Sequence, residues 1–379
     1  MGTNNAANKY GDGLDLTQFW KDNEFAQSDN CFNNGTMVSL GIQMNDECIF
    51  DELGIETSHP WAAQDPDDMR KWRRMYNDKA EEIVGRRVMD EDPPAAGMGF
   101  PYVKRIGEAF GGEYIWEDNS EWLTKGANNY RELEKVLDRV EAMDYREFML
   151  PPEWEAEKKR LFETKGIKPP VLRHIRGPVT LACSILGVEE FIFLIADEPD
   201  LARRFSAAVA HAILQMAAVT DSEAGETPQS MPGFSFADDN CCMLSAEMYE
   251  LFGYPVLKTV FDHYSPLPGH RRFQHSDSSM GRLLPILGRV KLNGVNFGPD
   301  VLVPEIRKYL PDARIDGCIA PFAFSRNDRA ELVRQTKRDC LDGMKYGGVN
   351  IATAGSINYG SSLDSLRLIM ATIQQYGRV

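Results

Sequence analysis

A regular alternation of short apolar runs and helix-period segments after Val171 constrains the fold of this 379-residue chain more than any other feature. Each apolar run ends in, or one residue after, Gly, Pro, Asp or Ser, and helical spacing of apolar residues follows it. Buried strands that are separated by helices form parallel sheets with helices on the outside. Six such runs are present: VLRHIRGPV (171–179), PGFSFADD (232–239), RRFQHSD (271–277), LNGVNFGP (292–299), ARIDGCIAP (313–321) and GVNIATAG (348–355).

Two earlier β-rich runs, TMVSLGIQM (36–44) and GGEYIWED (111–118), bring the predicted number of strands to about eight. Eight strand–helix units favour a closed (β/α)8 TIM barrel over an open, doubly wound sheet. No GxGxxG fingerprint follows a predicted strand, which makes a dinucleotide-binding fold the weaker prediction. We therefore predict an α/β fold, a (β/α)8 TIM barrel with extra N-terminal helices. The barrel forms a single domain over residues 1–379, with a helical and extended elaboration over about residues 1–100.

The charge and the cysteine content of the chain exclude some classes of binding partner and indicate its cellular compartment. Lys and Arg total 42 against 57 Asp and Glu, giving a net charge of −15. No long basic stretch is present, so neither nucleic acid nor an anionic membrane surface is an expected partner. The seven cysteines show no CxxC spacing, the N-terminus lacks an apolar signal core, and no run reaches the ~18 apolar residues of a membrane span. We expect a reduced, unprocessed, cytoplasmic protein.

The ends of the predicted strands are unusually polar. In barrels of this kind the chemistry lies where strands end and the following loops begin. Phe236 and Phe297 lie near the same positions and would line a slot for an aromatic ring, although packing in the barrel core explains either ring equally well. The polar candidates at these positions are Arg173, His174, Arg176, Asp238, Asp239, Asn240, His275, Asp277, Asn296, Cys318, Thr353, Ser356 and Asn358.

His275, Asp277 and Asp239 form the strongest combination among these candidates. Taken singly, a strand-end aspartate is often only the N-cap of the next helix. His275 and Asp277, however, stand at i and i+2 and so face the same side of a strand end, while Asp239 closes the preceding predicted strand. An imidazole and several carboxylates at one barrel mouth suit a divalent metal or a general acid–base pair. We predict that these three residues are catalytic and bind a metal.

The same segments resemble the uroporphyrinogen decarboxylase superfamily, and most closely its branch of corrinoid-dependent methyltransferases. The resemblance covers most of the chain, is strongest after residue 170, and implies a TIM barrel. It is carried by RGPVTLACSILGVEEFIFLIADEPDLARRF, MPGFSFADDNCCMLSAEMYELFGYPVLKTVF, NIATAGSINYGSSLDSLRLIMATIQQYGR and, upstream, LDLTQFWKDN and ECIFDELGIE.

Departures from the patterns of the superfamily point to one kind of chemistry. Uroporphyrinogen decarboxylases carry an arginine-rich motif near the N-terminus, and residues 1–50 contain nothing similar. Relatives that activate thiols bind zinc through His-x-Cys and a distant Cys. Here these places hold His275-Ser276-Asp277 and Ser356. Because oxygen replaces both soft ligands, the site suits polarisation of an ether oxygen better than activation of a thiol.

The resemblance and this replacement imply a methyltransferase. It would move a methyl group from an O-methylated substrate, such as a methoxylated aromatic, to the Co(I) corrinoid of a separate carrier protein. A divalent metal, with zinc favoured, or a general acid would assist cleavage of the methyl–oxygen bond. No cobalamin-binding domain is visible, so the corrinoid belongs to the partner. Substrate contacts are expected from Arg176, Asp238, Asn296, Phe236, Phe297, Cys318, Ser356 and Asn358.

Two alternatives stay open at this point. One is a decarboxylase acting on a porphyrinogen-like or smaller carboxylic acid, and the other is a non-catalytic barrel that binds a corrinoid or its carrier. An ether substrate predicts a pocket with few free cations and with Arg176 paired to protein carboxylates, whereas several unpaired arginines would favour the decarboxylase. The oligomeric state is also open, with a homodimer as one option.

Overall fold

The computed structural model describes residues 11–57, 59–60, 64–93, 96–117 and 120–379. The strands in these residues are β1 Ser39–Leu40, β2 Tyr114–Glu117, β3 Ser120–Leu123, β4 His174–Arg176, β5 Phe234–Ala237, β6 Arg272–His275, β7 Gly294–Asn296, β8 Arg314–Ile319 and β9 Val349–Thr353. The α-helices are α1 Leu16–Ala26, α2 Glu47–Leu53, α3 Pro66–Val84, α4 Ile106–Ala109, α5 Tyr130–Glu141, α6 Tyr145–Met149, α7 Trp154–Lys165, α8 Pro178–Leu186, α9 Val188–Asp197, α10 Pro199–Ala224, α11 Ala246–Tyr264, α12 Leu284–Val290, α13 Val303–Tyr309, α14 Pro321–Ser325, α15 Arg329–Tyr346 and α16 Leu363–Tyr376.

The chain divides into two compact units. The first comprises Met1–Pro93, Ser276–Gly281 and Gly294–Val379, and the second comprises Pro94–His275 and Arg282–Asn293. Within the first unit, four parallel strands follow the order β1–β9–β8–β7. Within the second unit, three parallel strands follow the order β4–β5–β6. All five residues of β9 are buried, as expected for a parallel strand that is covered on both faces.

The six strands predicted after Val171 are all present and all pair in parallel, as β4 to β9. The earlier run 36–44 supplies the short strand β1, which pairs in parallel with β9. These runs were recognisable because most of them are apolar and each ends at or beside a turn-forming residue.

The run 111–118 behaves differently from the prediction. Its strand β2 pairs antiparallel with β3, with Tyr114 opposite Leu123, and so forms a separate two-stranded sheet. The described residues therefore hold seven parallel strands rather than eight. The physical reason is that three of the four residues of β2 are exposed, as in a surface hairpin, whereas parallel strands are buried on both faces.

Helix boundaries mostly follow the local signals in the sequence. The Asn129 side chain accepts a hydrogen bond from the backbone N–H of Glu132 and caps α5, and Gly166, with φ +67°, ends α7. The long helical pattern over residues 189–219 is broken into α9 and α10 at Glu198. Pro199 begins α10, because a residue without an N–H group is best accommodated in the first turn of a helix.

No single helix in the described part of the chain is long and apolar enough to cross a membrane. Only α8 and α9 taken together have the length and apolar composition of a membrane span, and this pair is bent by 106° at the break between the two helices. Gly187, with φ +97°, separates them.

An aromatic cluster forms part of the core of the second unit. The rings of Phe191 and Phe252 are 4.6 Å apart, and those of Phe205 and Phe252 are 5.4 Å apart. All three side chains are fully buried. The cluster joins α9, α10 and α11, so Phe252 contacts side chains from two other helices.

Phe252→Ala should lower the free energy of unfolding by about 3–5 kcal/mol, because it removes a buried ring and leaves a cavity between three helices. Phe193→Ala is the matched control, since Phe193 lies on the same helix as Phe191 and is 50% exposed. It should change stability by about 0.5 kcal/mol or less. Urea denaturation followed by circular dichroism measures both values, and equal losses in the two variants would contradict this account of the core.

Candidate functional site

The register of three strands places polar side chains on one face of the sheet in the second unit. Arg176 of β4 lies opposite Ala237 of β5, and Ala237 lies opposite His275 of β6. Side chains in register on neighbouring parallel strands point to the same face, and alternate residues of one strand do so as well. His174, Arg176 and His275 therefore share a face. Phe236 is on the opposite face, where its ring packs against Phe261 of α11 at 5.3 Å.

His275 and Asp239 come together in this unit, as the sequence predicted. The Nε2 atom of His275 lies 3.6 Å from Oδ1 of Asp239, and their side chains are 23% and 39% exposed. Two donor atoms on one tetrahedral zinc ion lie roughly 3.4 Å apart, given metal–ligand distances of about 2.1 Å. Asp239 precedes the 3-10 helix Asn240–Met243 without a side-chain capping bond, so helix capping does not explain this residue.

Asp238 serves mainly to join elements of the fold. Its side chain is fully buried, and Oδ1 accepts hydrogen bonds from the backbone N–H of Thr180 at 2.8 Å and from the Thr180 hydroxyl at 2.9 Å. These donors belong to the first turn of α8, so the carboxylate caps a helix that precedes it in the chain. Burial raises the pKa of Asp238 to about 6, while the bonds from Thr180 and Val179 act in the opposite direction. Its predicted role in substrate binding stays a prediction.

Asp277 belongs to the first unit, where it lies against a turn after β9. A Cβ atom placed on Gly355 would lie 3.1 Å from Oδ2 of Asp277, and Gly355 has a φ of +99°, which side chains rarely permit. Asn296 holds this turn: its Oδ1 accepts from the Gly355 N–H at 3.1 Å, and its Nδ2 donates to the Thr353 carbonyl at 3.0 Å. The exposed Ser356 comes next in the chain. The turn that carries Ser356 therefore borders Asp277.

The short peptide 275–277 limits the distance between the Cα atoms of two predicted metal ligands, His275 and Asp277. Asp277 follows His275 by two residues, and two residues span at most about 7 Å even when fully extended. Among the other predicted residues, Asn358 is half-buried, and its carbonyl accepts from the Ser361 N–H at 3.2 Å. Metal binding by His275, Asp239 and Asp277 remains a prediction.

Three further predicted substrate residues lie in the core. Phe236, Phe297 and Cys318 are fully buried, as the alternative explanation of core packing expects. The backbone N–H of Cys318 donates to Oδ2 of Asp339 at 3.1 Å, and burial raises the pKa of its thiol well above the ordinary value. A role for these three side chains in substrate binding stays a prediction.

A cavity of about 680 Å³ lies within the second unit, and its lining is mostly apolar. His174 and Arg176 reach it from β4. Most of its other residues were not singled out from the sequence, because they precede the strand–helix alternation. The aromatic residues in FPYVKRI, GGEYIWED and PPEWEAE were the only signal available. The main residues missed are Phe100, Tyr102, Arg105, Tyr114, Glu121, Met149, Trp154 and Met216.

The two arginines of the cavity differ in their partners. Arg105 donates to both carboxylate oxygens of Glu121, at 2.7 and 2.8 Å, and its guanidinium lies 3.4 Å from the centre of the Tyr114 ring. Arg176 donates to the Ser184 hydroxyl at 2.9 Å. In the described part of the chain no carboxylate lies within 4.0 Å of Arg176, so the expected pairing with protein carboxylates is absent. The described residues that line the cavity also do not include the several unpaired arginines expected of a decarboxylase.

His174 adds little positive charge to this cavity. His174 is exposed at its surface, but partial desolvation lowers its pKa from the ordinary value, and the charges of His275 and Arg271 lower it further. The imidazole is therefore mostly neutral at pH 7.

Comparisons with known proteins agree on the fold. The family model described as Uroporphyrinogen decarboxylase (URO-D) matches residues 98–376. The solved structure of a methyltransferase from Methanosarcina mazei is similar to this chain, with a TM-score of 0.51 and 16% sequence identity, and the match covers 90% of this chain and 94% of the other. No curated protein sequence matches the chain. The predicted α/β fold, a TIM barrel with extra N-terminal helices, and the suspected superfamily are confirmed.

The burial of Asp238 predicts a pH dependence of stability. Its pKa is about 6 in the folded protein against an ordinary 3.8, so the folded state binds the proton more tightly and loses stability as pH rises from about 4 to 6. Asp238→Asn does not titrate, so its stability relative to the parent should improve by about 2 kcal/mol between pH 4.5 and 7.5. Urea denaturation at both pH values measures this change. Asp200→Asn is the control, since its side chain is 98% exposed, and a pH-independent difference for Asp238→Asn would refute the prediction.

Proposed function

Since the chain belongs to the uroporphyrinogen decarboxylase family, we propose that it is a methyltransferase of that superfamily. It transfers a methyl group from an O-methylated substrate, a methoxylated aromatic, to the corrinoid of a separate carrier protein. The observation that carries this proposal is the approach of His275 to Asp239. Their donor atoms, a nitrogen and an oxygen, are 3.6 Å apart, and neither is a sulfur atom. The similar fold of a methyltransferase from Methanosarcina mazei supports the reaction class.

The donor set fits a divalent metal ion, with zinc favoured. The donor atoms of His275 and Asp239 are at a suitable separation, and the chain keeps the Cα atom of Asp277 within about 7 Å of that of His275. When bound, such an ion supplies Lewis acidity toward an ether oxygen. Imidazole and carboxylate ligands suit this task better than thiolates, which bind the same metal but reduce its acidity toward oxygen.

In this reaction the residues of the candidate site would stabilise the departing oxygen. The bond between the methyl carbon and the ether oxygen breaks, its electron pair stays on the oxygen, and the methyl group joins the Co(I) acceptor. An alkoxide or phenolate is a poor leaving group, so negative charge on that oxygen must be stabilised. If no metal is bound, the imidazole of His275 is placed to donate a proton to the departing oxygen. Metal analysis separates the two versions of the mechanism.

A decarboxylase is the second candidate, and one observation favours it. Arg176 lines a cavity and has a hydroxyl rather than a carboxylate as its partner, so it is suited to an acidic ligand. Arg105, however, is already neutralised by Glu121. A substrate with many carboxylates needs several free cations, and this cavity provides fewer than that. A methyl donor with at most one acidic group therefore fits the cavity better.

The proposed reaction also indicates the cellular compartment of the protein. Co(I) is easily oxidised, so the reaction requires a reducing compartment, and we place the protein in the cytoplasm. All seven cysteines are free thiols, which agrees with that setting. The partners are a corrinoid carrier protein and a small methylated compound.

His275→Ala and Asp277→Ala should each remove the bound metal and lower methyl transfer by about 100-fold or more, while the double variant should cost little more, because residues that act as one unit are not additive. Elemental analysis of the purified protein and the absorbance of the corrinoid measure the two effects. His263→Ala is the control, since His263 is exposed on α11 and should leave both unchanged. Full metal content and activity in either single variant would refute the assignment.

Asp277→Cys should keep zinc and lose activity toward ethers. The change restores the His-x-Cys pattern of the thiol-activating relatives, and the thiolate leaves the metal a weaker Lewis acid toward oxygen. Zinc content and the rate of methyl transfer are measured on the same preparation. Ser279→Cys adds a thiol at an exposed position nearby and should retain activity. An Asp277→Cys variant with undiminished activity would show that the hard donor set is not what selects the substrate.

A further inference from the structure

We propose that the cavity of the second unit binds a monoanionic aromatic acid, with the carboxylate of the ligand held by Arg176. As the site of the methyl donor, the cavity depends on the proposed function. As an anion-binding site, it depends only on the residues that line it. The proposal therefore narrows the substrate from any methoxylated aromatic to one with a single acidic group.

The size and lining of the cavity suit one aromatic ring. Its volume of about 680 Å³ lies inside the range of roughly 300–1,000 Å³ that small-molecule sites occupy. Phe100, Tyr114 and Trp154 contribute rings to the lining, and Met149 and Met216 contribute flexible apolar side chains. Aromatic and thioether groups pack favourably against a ligand ring. A long aliphatic or strongly polar ligand would match this lining less well.

The charges around the cavity select for a single negative group. Glu121 neutralises Arg105 through two hydrogen bonds, and Glu223 is neutralised by Lys158 at 2.5 Å and by Arg146. Since these charged groups already have partners, they offer little attraction to a ligand.

Two further basic groups on the cavity add little to the binding of an anion. Lys104 is exposed, and its ammonium lies 4.9 Å from the centre of the Phe148 ring. His174 is mostly neutral near pH 7. Among the described lining residues, Arg176 is then the half-buried cation that can hold an anion away from water.

Arg176 retains donors for such a ligand. A guanidinium has five N–H groups in a planar fork, and the Ser184 hydroxyl accepts from Nη1 only. Arg176 is half-buried, so a carboxylate that binds it is partly removed from water and the charge-assisted bond is strengthened. A bidentate contact with a planar carboxylate fits this geometry.

The position of Arg176 relates the cavity to the candidate catalytic pair. Arg176 and His275 occupy the same register row on β4 and β6, with Ala237 of β5 between them. Two strand spacings of about 4.8 Å place their Cα atoms roughly 10 Å apart, with both side chains on one face. Neither His275 nor Asp239 is among the described residues that line the cavity, so a benzene ring with a carboxylate on Arg176 and a methoxy group at its other end would reach the pair by extending beyond the cavity along this face. The carboxylate would then direct the ether oxygen toward the catalytic pair.

Binding of 4-methoxybenzoate and of its neutral isostere 4-methoxybenzamide tests the proposal. Isothermal titration calorimetry with the full chain should show at least about tenfold tighter binding of the acid, as expected for a charge-assisted hydrogen bond. Arg176→Gln should remove this preference without weakening binding of the amide. Arg176→Lys should keep part of it, because lysine retains the charge but not the fork. Arg203→Gln makes the same charge change on an exposed arginine of the same unit and should alter neither affinity.

The outcomes separate this inference from the proposed function. Equal affinity of the parent protein for the acid and the amide would overturn the inference, and so would an unchanged preference in both Arg176 variants. The corrinoid assay is run independently with both compounds. Tight binding of the acid without methyl transfer would support the anion site and reject the proposed function. Methyl transfer from both compounds together with equal affinity for them would support the function and reject the inference.

Discussion

The geometry of the candidate site depends on the hydrogen bonds made by the buried residue Asp238. Its backbone N–H donates to the carbonyl of His275 at 3.0 Å, and its side chain holds the start of α8 through Thr180. Gly177 precedes that helix and donates to the Ala237 carbonyl at 2.7 Å. The ends of β4, β5 and β6 are thereby held together, and these ends carry Arg176, Asp239 and His275.

Two neighbouring aspartates have opposite surroundings, and this contrast explains how one short sequence supplies both structure and chemistry. Asp238 is fully buried, so its charge requires hydrogen bonds from α8 to offset the loss of water. Asp239 is partly exposed and faces His275. A ligand at the strand end can therefore contact Asp239 while Asp238 holds the strand end in place. Substitution of the first residue acts on stability, and substitution of the second acts on the proposed chemistry.

The cations on the described lining of the cavity differ from those that a substrate with many carboxylates would require. Arg105 is held by Glu121 and by two tyrosines, which makes it a support for the wall of the cavity rather than a free charge. Arg176 keeps donors available to a ligand of the kind proposed, because the described structure gives it the Ser184 hydroxyl as its hydrogen-bond partner. The same fold can thus serve a different substrate when one cation is neutralised and another is left accessible, because binding of an acid depends on free charge and not on the number of arginines.

The sequence by itself determined the strand–helix order and the positions of the polar strand ends. Apolar runs, turn residues and helix caps act over a few residues, so β4 to β9 and the approach of His275 to Asp239 were predictable. Tertiary structure alone decided that the run 111–118 forms a hairpin, that Asp238 caps α8, and that Arg176 bonds Ser184. It also decided that side chains from residues 100–223 enclose one cavity. These features join residues far apart in the chain, and such pairings depend on packing and desolvation, which leave no local pattern in a single sequence.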